Sequence, residues 1–199
     1  WNLKVIDGLL FCGHNKGTLI IDKNKIKTEI FNANGSWDFK KIENTKYVLQ
    51  GNYKGLNILE KSNKEWRYAY KIDGFDISSR FFQIIDNTIY VNHELRGLFK
   101  LQMSNDFKKL LDVNLVNEIN KGSGSNILNF TDEYFYTSSN GVYKLKSDFS
   151  SFTKADNFFE IFDEYSTTTT LLDVKSTQNM KWCFSGNSIL LISPGSLSD

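Results

Sequence analysis

The chain repeats one pattern several times over. "GHNKGTLII" at residues 13–21 returns as "GNYKGLNIL" at 51–59: a glycine, two residues and a lysine precede a second glycine, and an apolar run follows. The second glycine recurs as Gly17, Gly55, Gly97 and Gly141, at intervals of 38, 42 and 44 residues, followed by "TLII", "LNIL", "LFKL" and "VYKL". Ahead of it stand an apolar or aromatic run such as "KYVLQG" or "TIYVNH" and, earlier, another such as "WDFKKI", "RFFQII" or "NILNF". Behind it comes a further run, "KIKTEIF", "EWRYAYKI" or "FKKLLDV". Short runs rich in β-branched and aromatic residues, broken by Gly, Asn, Asp and Ser, read as strands. Four of them in a period of about 40–45 residues is the pattern of a β-propeller blade. The expected fold is all-β, built of four-stranded antiparallel repeats of about 36–46 residues each.

Residues 1–199 then form a single propeller region with approximate blades 1–35, 36–77, 78–123, 124–167 and 168–199. Later blades begin near Ser36, Ser79, Ser125 and Thr169, and the last is incomplete, "MKWCFSGNSILLI" supplying its hairpin. The register offers no strand ahead of Trp1 to complete that blade, and the chain opens on Trp1 without a methionine. Both features predict a piece of a larger propeller. The stretch "FTKADNFFEIFDEY" at 152–165 admits a short amphipathic helix, with Phe158, Phe159 and Phe162 on one side. The repeat places an outer strand and a connecting loop there instead. A two-helix solenoid is disfavoured by the Thr run at 167–170.

Composition narrows the partners. Hydrophobic residues make up 40% and aromatics 15%, too apolar for disorder. Net charge is +1, from 24 basic and 23 acidic residues, so no global field recruits nucleic acid or an anionic membrane. The sequence shows neither a long apolar window for a helical membrane span nor a signal peptide. Cys12 and Cys183 stand far apart with no CxxC and no Cys/His cluster, which argues against zinc. They read as two buried free thiols, with one long-range disulfide as the alternative. No phosphate-cradling loop, Gly-x-Ser-x-Gly or nucleophile beside a base is visible. His14 and His93 are the only histidines; a metal site shared by them would need carboxylates as well and is not expected, nor is any cofactor. Asp73, Asp76, Asp86 and Glu94 cluster between residues 73 and 94, and a carboxylate pair is the machinery of glycoside hydrolysis. No second repeat carries such acids at entry positions, and acids in β-turns are ordinary, so no catalytic residue is assigned.

A propeller blade runs antiparallel outward from the channel, so the tip between its second and third strands shares a face with the lead-in to the next blade. That groups the tips His14-Asn15-Lys16, Asn52-Tyr53-Lys54, Glu94-Leu95-Arg96 and Ser139-Asn140 with the first residues of inner strands, Trp37, Arg80, Asn126 and Thr170. Trp37 or Tyr53 suits stacking on a sugar ring, and Arg80 suits a carboxylate or sulfate. Trp37, Tyr53, Arg80, His93, Glu94, Arg96 and Asn126 are therefore the candidate ligand-binding residues for a small polar ligand or oligosaccharide. The competing reading makes Trp37 blade-to-blade core and pairs Arg80 with Asp76 or Glu94.

At "KIDGFDISSRFFQIIDNTIYVNHELRGLFKL", residues 71–101, the chain resembles the two-component regulator propeller repeat. Phe75, the Ser79-Arg80 step, Tyr90 before Val91, His93 and the Gly97-Leu-Phe-Lys-Leu hairpin carry the likeness; "YVLQGNYKGLNIL" fits the general blade motif with Gln50-Gly51-Asn52 in place of the commoner form. The resemblance implies the periplasmic sensor half of bacterial hybrid two-component or LuxR-type regulators. It implies a non-enzymatic ligand-sensing segment, glycan-responsive, within a parent that forms a homodimer. This segment would contact no nucleic acid and contain no membrane span. A protein-interaction scaffold, or a propeller lyase or glycoside hydrolase, are the alternatives.

Overall fold

A computed structural model describes residues 2–23, 25–31, 35–122, 124–130, 133–138 and 140–155, and the backbone of 171–177, 180–185 and 188–192. Every regular element among them is a β-strand. The first sheet holds β1 (Leu3–Ile6), β2 (Leu9–His14), β3 (Gly17–Asp22) and β4 (Lys25–Phe31). The second holds β5 (Ser36–Lys41), β6 (Tyr47–Asn52), β7 (Gly55–Ser62) and β8 (Glu65–Lys71). The third holds β9 (Phe81–Ile85), β10 (Thr88–His93), β11 (Gly97–Met103) and β12 (Leu110–Leu115). The fourth holds β13 (Asn126–Phe130), β14 (Glu133–Ser138), β15 (Gly141–Leu145) and β16 (Phe152–Lys154). A three-stranded sheet of β17 (Leu171–Thr177), β18 (Met180–Ser185) and β19 (Ser188–Ile192) follows. In each sheet, sequence neighbours are hydrogen-bonded neighbours. The start of the 152–165 stretch is the strand β16; residues 156–170 lie outside the described residues.

The glycine that marks the repeat has a backbone reason. Gly17, Gly55, Gly97 and Gly141 open the third strand of their sheets with φ of +149°, +85°, +107° and +135°. L residues rarely adopt that region. At Gly55 a β-carbon would also strike the carbonyl oxygen of Phe75.

The chain divides into two compact units, Trp1–Val91 with Lys100–Asn114 and Asn92–Phe99 with Leu115–Asp199. In the first, period-2 alternation sets the core: β2 buries Leu9, Phe11 and Gly13 and leaves Leu10, Cys12 and His14 half-buried on its other face. Ile6, Leu9, Phe11, Ile20 and Ile30 pack against Phe39, Val48, Leu59 and Trp66 of the second sheet. Phe11 meets Phe39 and Trp66 edge-on, at centroid distances of 5.6 and 5.3 Å. Each such side chain contributes about 1.5–3 kcal/mol by leaving water. The second sheet is buried on both faces, Val48, Leu49, Ile58 and Leu59 being fully enclosed. The outer face of the first sheet leaves Leu3, Val5 and Ile26 exposed. Cys12 is a free thiol; the side chain of Cys183 lies outside the described residues.

Several buried polar groups of this unit bond to one another. Thr18 Oγ1 lies 3.0 Å from Ser36 Oγ, and the Gln50 amide donates to Ser36 Oγ and, at 2.9 Å, to Asn52 Oδ1. Near the surface, Asp7 in the β1–β2 turn accepts from Lys41 at 2.5 Å and Lys61 at 3.0 Å. Those two ammonium groups hold its carboxyl below the usual carboxylate range. In the second unit, Tyr136 is fully buried, packs edge-on to Phe152 at 6.4 Å and donates to the Asn120 carbonyl at 3.1 Å. Burial raises its phenol pKa.

Candidate functional site

The first unit stitches hairpin tips to the lead-ins of inner strands through the backbone. Tyr53 N donates to Gly35 O at 3.2 Å, Gly55 N to Ile77 O at 3.1 Å and Ser79 N to Asn52 O at 2.9 Å. The approach is close enough to require glycine at Gly51, where a β-carbon would collide with the Ser79 carbonyl oxygen and the Phe82 ring. Gly13, its counterpart in β2, faces Ser36 O in the same way, with a β-carbon only 2.8 Å away. A β-carbon on Gly35 would fall 2.7 Å from the Tyr53 ring and 3.0 Å from the Asn15 α-carbon, so the β2–β3 tip and Tyr53 converge there.

This stitching assembles an aromatic and cationic group. The Trp37 and Tyr53 rings lie 4.7 Å apart and tilted by 47°. The Trp37 indole N–H donates to Ser78 Oγ at 3.1 Å, which fixes the ring. Arg80 Cζ stands over Trp37 at 5.3 Å and over Phe81 at 4.8 Å. Arg80 is exposed, and no ion pair joins it among the described residues. Asp76, one of the two partners considered from sequence, pairs with Lys71 instead. Asp38 accepts from Asn2 at 2.5 Å and lies 3.9 Å from Lys40. Each stacked contact is worth about 0.5–1 kcal/mol at an exposed site, so the arrangement positions the guanidinium more than it stabilises the fold.

The other sequence candidates lie in the second unit. Glu94 Oε1 accepts from Gly124 N at 2.8 Å. His93 Nδ1 accepts from Leu95 N at 3.2 Å within its own turn, as His14 Nδ1 does from Lys16 N at 3.3 Å. Arg96 is exposed and its backbone N–H donates to His93 O at 3.0 Å. Asn126 is 4% exposed, at the start of β13. The position that is Gly51 in β6 is Asn92 in β10, each next to last in its strand. Asn92 donates to Ser125 O at 2.7 Å and to Ser125 Oγ at 3.0 Å.

Three of the seven candidates, Trp37, Tyr53 and Arg80, thus meet in one place. Sequence reasoning missed Phe81 as the second ring over which Arg80 lies, Ser78 as the indole acceptor and Gly35 as the floor under Tyr53. The "SSRFF" stretch held the first two, because alternation would have set Phe81 on the opposite face from Phe82.

No protein-family model matches the sequence, and no curated protein matches it. Solved structures do. Two structures of the extracellular domain of BT4673 from B. thetaiotaomicron, classed provisionally as a one component and as a hybrid two component system, match with TM-scores of 0.64 and 0.66 at 16% and 15% identity. They cover 98% and 99% of this chain. The WD40 β-propeller domain of Doa1 matches at 0.60 with 12% identity, over 95% of this chain and 61% of its own. The fold is that of β-propeller blades. The chain spans about a quarter, 26%, of the length of the extracellular domains it matches.

Proposed function

We propose that this chain is a ligand-sensing, non-enzymatic propeller segment of a bacterial signal-transduction regulator, working outside the cytoplasm. The observation that carries the reading is Arg80: exposed, stacked over two rings, and with no ion pair among the described residues. With the Trp37 and Tyr53 rings beside it, the group offers an apolar face and a fork of N–H donors, as a sugar ring with polar substituents requires. The extracellular domains it matches in fold are named as parts of one- or two-component systems, which supports the sensory role. In the second unit Arg96 is the exposed member of the set, His93 and Glu94 are half-buried and Asn126 is buried, and Glu94 holds the tip through Gly124 N.

The test is a thermal-shift screen against soluble oligosaccharides. A ligand at a hundredfold over its dissociation constant stabilises by about 2.7 kcal/mol. A hit that disappears in Trp37→Ala and Arg80→Ala, both still folded, supports the reading. Silence across a broad panel turns it towards a protein-interaction scaffold, for which the exposed Leu111 and Val113 of β12 are the first surface to probe.

A further inference from the structure

The three arginines of the chain are Arg67, Arg80 and Arg96, and the first unit contains two of them. Arg67 is neutralised: its Nε and Nη2 donate to Glu60 Oε2 at 3.2 and 2.8 Å, and Lys46 also pairs with that carboxylate at 2.5 Å. Arg80 is built the opposite way. Its guanidinium lies over Trp37 and Phe81, and the carboxylates that the sequence brings near are taken, Asp76 by Lys71 and Asp38 by Asn2 and Lys40. A guanidinium held over two rings by cation–π attraction, with no ion pair among the described residues, has N–H donors to offer a ligand. A fork of donors held in place and left without a carboxylate is a bidentate receptor whose ordering cost has been met before the ligand arrives. The local charge agrees, since Lys16 and Lys54 at the two hairpin tips are exposed.

We infer that the ligand of this site carries a carboxylate on a ring that stacks beside it, as a uronate sugar does. The Arg80 fork takes the carboxylate and the Trp37–Tyr53 pair takes the ring. This rests on the sugar-binding reading above and narrows it to an anionic class. A neutral sugar would leave the guanidinium edge to water, and a simple carboxylate would leave the aromatic pair unused.

The experiment is a titration of the chain with tetramers of glucuronate, galacturonate and mannuronate and with their neutral glucose, galactose and mannose counterparts, followed by the Trp37 indole N–H resonance. The expected result is saturable perturbation by at least one uronate tetramer, at least tenfold weaker for its neutral counterpart and at least tenfold weaker in Arg80→Lys. Lysine keeps the charge and loses the fork, and Arg80 is exposed, so the variant keeps the fold. Equal affinity for charged and neutral tetramers overturns the anionic class and leaves sugar binding standing. Uronate affinity unchanged in Arg80→Lys overturns the bidentate role. No perturbation by any of the six overturns both this inference and the reading beneath it.

Discussion

The junction where a hairpin tip meets a strand lead-in is built twice over in different chemistry. In the first unit, Gly51 lets the backbone come flush against Ser79, and the side chains around it, Trp37, Tyr53 and Arg80, stack without joining the backbone ladder. In the second, Asn92 and Glu94 spend their polar atoms on Ser125 and Gly124. The same topology therefore yields a presenting junction and a sealing one. Side-chain hydrogen bonds to backbone hold the second together. The first is held by backbone hydrogen bonds and by the Trp37–Ser78 contact, and it leaves the Arg80 guanidinium exposed.

Four perturbations break or sharpen that contrast. Gly51→Ala has the largest expected effect, about 3 kcal/mol of stability, because the obstacle is a backbone carbonyl rather than a flexible side chain. Urea denaturation reads it. Asn92→Ala costs about 2 kcal/mol by leaving the Ser125 carbonyl and hydroxyl without their donor. If Asn92→Ala were neutral, the sealing role would fall. Arg80→Ala changes stability by about 1 kcal/mol or less, since only exposed stacking is lost.

The smallest effect is a shift in acid stability. Asp7 is held below its unfolded pKa of about 3.9 by Lys41 and Lys61, so its contribution is fully present above that value. It is lost as pH falls through the lower folded pKa. Asp7→Asn should remove about 0.2–1 kcal/mol near neutral pH, and the difference from wild type should vanish in acid. A difference that persists at pH 2 would contradict the ion-pair account. Thermal melts at the two pH values measure it.

The fold was legible because turn chemistry repeats. Gly17, Gly55, Gly97 and Gly141 must be glycine for backbone reasons, so the period survives even where "KIKTEIF" and "FKKLLDV" share little else. The meeting of Trp37, Tyr53 and Arg80 was legible too, because blade topology alone groups tips with lead-ins. The partner of each side chain was not. Arg80 was weighed against Asp76 and Glu94, yet Lys71 takes the first and Gly124 N the second. Such choices depend on separations of a few ångströms that spacing along a strand does not encode. The burial of Asn126 was hidden for a related reason: position at a strand start does not say what packs over an amide.

The most direct test sets Arg80→Ala beside Glu94→Ala and measures both unfolding free energy and affinity for the best oligosaccharide from the screen. The account predicts opposite outcomes: Arg80→Ala abolishes binding and leaves stability within about 1 kcal/mol of wild type, whereas Glu94→Ala lowers stability by about 1–3 kcal/mol and keeps binding within a factor of about three. If Glu94→Ala abolishes binding while Arg80→Ala spares it, the assignment of the two junctions is reversed and the account fails.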